Sequence, residues 1–269
     1  MQKKPFLFCG FTVMMGIFGA FLRWVQNMLA FDEGTMLPTE NSPWHYILAL
    51  YLIGFAVFLF FYVRRYKDYS APTEYPAVFK CENKLWNIGA IAFSVIMALG
   101  ALGTVIVAVT TERENVFLLI LGLFAAVFAI GFNSFVNGTR SRNVKNGGFA
   151  GIVMVFFFCY RLIAVYKNYA ADPVVWHFAV QLLSVCACLL AFYYISGFAY
   201  NSPRKLQTIY FCHLGAFLSI GSCADDNYIG IQLISVATAG ILLLLSYAQL
   251  ANMQPPATAS ENEVRNTKE

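Results

Sequence analysis

The chain reads as all-α: a polytopic integral membrane helix bundle of eight transmembrane helices that admits a division into two parallel four-helix repeats. Three observations predict this class. The composition is 59% hydrophobic and only 12% charged, with a mean hydropathy of +0.62, where a soluble domain carries about twice that charged fraction. Apolar runs of about 18 residues or more, enough to cross a hydrocarbon core roughly 30 Å thick, recur along the whole length. The basic residues gather in alternate loops rather than on one face, which fits membrane edges and excludes nucleic acid as a partner.

Taken in order, the spans are expected at about 6–27, 44–63, 87–109, 115–136, 149–167, 174–200, 206–223 and 229–251. The first follows Lys3 and Lys4 and is longer than a signal-peptide core, with no small-x-small cleavage pattern after it, so it reads as an uncleaved span. With the N-terminus inside, every one of the 18 basic residues falls on the cytoplasmic side except Arg23, Arg113, Arg161 and Lys167. The positive-inside rule therefore expects both termini to be cytoplasmic and the bilayer to be the plasma membrane. The loop from Arg64 to Trp86, with Pro72, Pro76 and three tyrosines, reads as an interfacial connector. Residues 253–269 are polar and proline-bearing, the composition of a disordered tail. Asn137-Gly138-Thr139 is a sequon, silent if cytoplasmic.

The division into halves, 1–137 and 138–252, rests on echoes. Arg23 and Arg161 lie toward the outer ends of spans one and five, and Trp44-His45 and Trp176-His177 open spans two and six. Acidic corners follow spans three and seven, with Glu112 and Glu114 in one and Asp225 and Asp226 in the other. Four spans per half would give both halves the same orientation.

Polar residues on the spans fall in lines. Gly16, Ala20, Arg23 and Asn27 share a face of span one; Gly122, Ala126, Ala129, Asn133 and Asn137 share one of span four; Cys212, Ala216, Ser219 and Cys223 share one of span seven. His177, Gln181, Ser184 and Cys188 make a polar line on span six. Small residues let membrane helices approach closely, so these faces should meet protein rather than lipid.

Depth separates the two arginines. Arg23 lies roughly 25 Å along its span and is expected to snorkel to the interface. Arg161 lies only about 18 Å from the start of span five, just past the midplane. A guanidinium there costs about 2.5 kcal/mol or more and needs a partner facing the bundle interior. Asp225 or Asp226, drawn inward, is the expected carboxylate, with Tyr160 and Gln181 assisting.

The candidate binding residues are therefore Arg161, Arg23, His177, Gln181 and Asp225, and the implied ligand is a small anion or carboxylate. His45 and His177 could meet at the outer surface, but without ligand spacing no metal is assigned, and no cofactor is implied. Six of the seven cysteines lie in or at the ends of apolar runs, as small hydrophobes do. No P-loop, His-Glu-x-x-His, Gly-x-Ser-x-Gly or Asp-Asp-x-x-Asp motif is present. The leading expectation is a small transport or solute-binding component. The rivals are a membrane sensor or assembly protein holding a membrane or cytoplasmic partner through its loops, and an intramembrane lipid- or thiol-modifying enzyme using His213 or the cysteines.

Overall fold

The structure is a computed structural model and describes residues 3–32, 37–39, 42–81, 83–141, 144–170, 174–225 and 227–255. The Asp172-Pro173 corner, Asp226, Arg142 and the tail from 256 onward lie outside the described residues.

Among the described residues, eight helices are long and apolar enough to cross a membrane. They are α1 (Lys3–Leu29), α2 (Pro43–Arg64), α4 (Lys84–Thr110), α5 (Val116–Ser141), α6 (Val144–Tyr169), α7 (Ala179–Gly197), α8 (Lys205–Gly221) and α9 (Ile229–Ala251), with a short α3 (Tyr75–Phe79) between the second and third. Their ends are set by local chemistry. Pro43 opens α2, where its missing N–H is no loss. The Asn83 side chain caps α4 by accepting from the Leu85 N–H. Asn201, in the left-handed region at φ 55°, ends the 3-10 turn Phe198–Tyr200 that follows α7.

Helices α4 to α9 form a closed ring in chain order, each packed on the next, with α9 returning to α4. Helices α1 and α2 stand outside this ring, both packed against α8. The two groups of four spans therefore have different surroundings: α7 packs on α6 and α8, whereas α2 packs on α1 and α8. The ring closes tightly where small residues meet. A Cβ added at Gly230 would lie 2.5 Å from the Thr104 backbone nitrogen, and one at Gly100 would lie 2.9 Å from the Gly230 carbonyl oxygen, so α4 and α9 touch backbone to backbone.

The ring interior is aromatic toward the end that bears Arg64, Arg140 and Lys205. Phe158 stacks on Phe192 at 5.1 Å and 16°, and Phe128 meets Phe192 edge-on at 5.3 Å. Here the structure corrects the expected interfacial connector. Helix α3 is buried, with Tyr75 and Val78 1% exposed and Phe79 fully enclosed. The Tyr75 hydroxyl donates to the Phe135 carbonyl, and Phe79 packs edge-on against Phe198. Gly147 makes room, because a Cβ there would lie 2.2 Å from the Tyr75 ring. The physical reason is that the apolar YPAVF stretch has more surface to bury than a loop at the interface would cover. Nearby, Ser70 and Gln254 exchange backbone hydrogen bonds, which holds the chain beyond α9 against the α2–α3 connection.

Candidate functional site

The opposite end of the bundle holds a polar knot built on Arg23 of α1. The 3-10 turn Val175–His177 is separated from α7 by Phe178 (φ −122°, ψ 0°), so the helical ladder starts only with Leu182 N–H on the Phe178 carbonyl. The carbonyls of Trp176 and His177 are thereby left outside the ladder. Arg23 takes both, through Nη1 at 2.9 Å and Nη2 at 2.6 Å. Its Nε donates to Asp225 Oδ1 at 2.5 Å and its Nη1 to Gln26 Oε1 at 2.6 Å. The expectation that Arg23 snorkels is overturned: it is 1% exposed. A helix position fixes depth but not neighbours, and α8 and the turn before α7 close over this side chain.

Donor–acceptor logic continues the knot. Arginine only donates, so the Gln26 oxygen faces Arg23 and its amide nitrogen faces His45 Nδ1 at 2.6 Å. His45 Nδ1 must then accept, leaving a neutral ring with its proton on Nε2, an assignment that follows from the network. The ring stacks on Trp176 at 5.0 Å and 22° and meets Phe31 edge-on. His177, expected on the polar line of span six, belongs to the turn instead and packs its ring on Phe31 at 4.6 Å. Asp225 follows the 3-10 turn Ser222–Ala224 in extended backbone. Burial pushes its carboxyl above the usual carboxylate range, with the Arg23 charge pulling the other way.

The second polar group surrounds Arg161, inside the ring and one helical turn from Phe158 toward the knot. Arg161 is 2% exposed. Its Nη2 donates to Ser235 Oγ of α9 at 2.7 Å, and Ser235 passes its own proton to the Ile231 carbonyl. The Cζ atom sits 6.0 Å from the Phe158 ring, and the thiols of Cys188 and Cys223 are its electrostatic neighbours. Cys188 and Ser184 both reach Ser219, at 3.2 Å and 2.9 Å. Among the described residues no carboxylate pairs with Arg161. Of the two expected carboxylates, Asp225 is held by Arg23 and Asp226 lies outside the described residues.

Gln181 belongs to the same α7 face as Ser184 and Cys188. Its Nε2 reaches Asn227 Oδ1 at 3.4 Å, while its Oε1 is buried with no partner among the described residues. The five candidates thus divide. Arg23, Asp225 and the His177 carbonyl form one knot, Arg161 sits in a separate buried cluster with Ser235, and Gln181 reaches Asn227 from α7. Gln26 and Ser235 were missed. Gln26 could have been found as the i+3 neighbour of Arg23, and Ser235 on the helix face it shares with Thr238, Ser246 and Gln249.

The remaining reactive groups lie elsewhere. His213 is enclosed between α1 and α8, with Nδ1 2.7 Å from Thr12 Oγ1 and its ring 3.8 Å from that of Phe8. Cys212 is fully buried beside it in sequence. Among the described residues no group of three His, Cys, Asp or Glu side chains could hold a metal ion. What the cluster offers chemically is a buried positive charge hydrogen-bonded to one serine hydroxyl, a group that pairs strongly with anions. No family model, curated protein or solved structure matches this chain.

Proposed function

We propose that the protein is a small transport or solute-binding component of the membrane, and that the Arg161 cluster takes a small anion or carboxylate. One observation carries this reading: Arg161 is an enclosed cation at membrane depth whose hydrogen bond, among the described residues, is to a neutral hydroxyl. Arginine stays protonated in proteins, and an unpaired charge at the bilayer centre costs about 2.5 kcal/mol or more. A bound anion would supply the missing counter-charge and also use Ser235, Ser184, Ser219 and the Gln181 face.

Access is proposed from the knot end. The aromatic layer of Phe128, Phe158 and Phe192 and the α3 plug fill the ring toward the basic end. By the positive-inside rule the basic end faces the cytoplasm, so the site would be loaded from outside. Arg23, Asp225 and His177 then serve as the latch that fixes α1 to the turns at the mouth rather than as ligands.

The test is the thermal stability of the purified protein titrated with phosphate, sulfate, acetate and benzoate. A true ligand at a hundred times its Kd stabilises by about 2.7 kcal/mol. The gain should vanish in Arg161→Gln while that variant still inserts and stays monodisperse. If no anion stabilises the wild type and Arg161→Leu is more stable than it, Arg161 is a packing cation and the reading fails.

A further inference from the structure

A groove of about 520 Å³ runs down the outside of the ring between α6 and α7 at the basic end. Its walls are Ile152 and Phe156 of α6 and Tyr193 of α7, with Tyr200 and Arg204 at its base. Phe156, Tyr193 and Tyr200 are 66%, 60% and 54% exposed, so this is membrane-facing surface rather than core. The floor is shallow because α6 carries glycine where α7 comes close: a Cβ on Gly151 would lie 2.5 Å from Ser196 Oγ, and one on Gly148 would lie 3.3 Å from the Tyr200 ring. Below the apolar stretch the chain reverses. The Ser202 N–H bonds back to the Gly197 carbonyl at 2.9 Å and Asn201 takes its left-handed conformation, which places Ser202 and Arg204 at the foot of the groove.

Arg204 is exposed, and among the described residues no carboxylate pairs with it or lines the groove. Its neighbour is already engaged: Lys205 Nζ donates to the Lys67 and Tyr69 carbonyls. The groove therefore joins an apolar slot, long enough for part of an acyl chain, to an exposed guanidinium and a hydroxyl at the level where lipid phosphates lie. We propose that it is a binding site for one anionic glycerophospholipid, with the phosphate on Arg204 and Ser202 and a chain lying between Phe156 and Tyr193. Basic pockets between helices at a membrane edge select acidic headgroups by the same charge complementarity. A lipid seated there would splint α6 to α7, the two helices that carry Arg161 and Gln181.

The experiment uses the full chain, purified in a neutral detergent and titrated with phosphatidylglycerol or phosphatidylcholine, reading Tm and the lipids retained in native mass spectra. Phosphatidylglycerol should stabilise more than phosphatidylcholine and remain as one retained lipid. Arg204→Gln, a surface change, should weaken that preference about fivefold. Val155→Trp, which fills the slot, should remove lipid retention with Arg204 intact; Ile152→Phe serves the same purpose if that variant does not fold. Arg140→Gln, a basic residue at the same end but outside the groove, should leave the preference unchanged. Equal stabilisation by both lipids, or an equal loss from Arg140→Gln, would overturn the site in favour of unspecific surface charge. Because none of these variants changes Arg161 or Ser235, the outcome is independent of anion binding at Arg161.

Discussion

Replacing Arg23 by methionine removes the centre of the knot while keeping an unbranched apolar stem. The ion pair with Asp225 has side chains 2% and 3% exposed, and removing one member of a buried pair costs about 3–5 kcal/mol because the other charge is left without compensation. The Trp176 and His177 carbonyls lose their donor as well, and a buried group left unsatisfied adds about 1–3 kcal/mol. The loss is capped because the Asp225 carboxyl, already raised by burial, rises further without Arg23 and escapes by taking up a proton. Together these give about 4 kcal/mol at neutral pH. The sign with pH follows. An acid whose folded pKa lies above its unfolded value binds its proton more tightly when folded. In Arg23→Met, lowering the pH therefore adds stability, and the deficit against the wild type should narrow as pH falls through the raised Asp225 value. Unfolding of the purified proteins in mixed micelles by added dodecyl sulfate, at pH 7 and pH 5, measures both quantities. A deficit under about 1 kcal/mol, the worth of an exposed pair, would refute the reasoning. So would a deficit that is larger in acid. Asp225→Asn should be milder, because Arg23 keeps three other oxygen acceptors.

Two further outcomes are expected. Gly230→Ala should destabilise by about 1–3 kcal/mol, as overpacking does, because the atoms its Cβ would meet include the Thr104 nitrogen and Gly100 carbonyl oxygen of the α4 backbone. Gly54→Ala, with nothing within 4 Å of its Cβ, should be neutral or stabilising by up to about 1 kcal/mol through helix propensity; equal losses at both sites in a thermal melt would remove the close α4–α9 contact as an explanation. For orientation, a single cysteine at Asn168 in a cysteine-free background should react with a membrane-impermeant maleimide from outside intact cells, and one at Lys67 only after permeabilisation. The reverse pattern would invert the proposed topology.

The eight spans were legible because the signal is one-dimensional. An apolar run of sufficient length has one way to satisfy its backbone in a bilayer, and that way is a helix. The oddity of Arg161 was legible for the same reason, since its depth follows from counting residues along one span. The lines of small residues were also readable, because helical period fixes which side chains share a face. What the sequence could not assign was the partner of each charge. Span-by-span depth made Arg23 the residue free to reach water and Arg161 the residue in need of Asp225 or Asp226; the packing of α1 on α8 enclosed Arg23 and brought Asp225 to it. Nor did the sequence reveal that the turn before α7 would leave two carbonyls open, or that YPAVF would fold inward as a plug. Composition and periodicity act through contacts a few residues apart, and so settled the class and the count of spans. The ion pair joins residues 202 positions apart, and only the closing of the helices around one another decided which arginine kept Asp225 and which stayed with a serine hydroxyl.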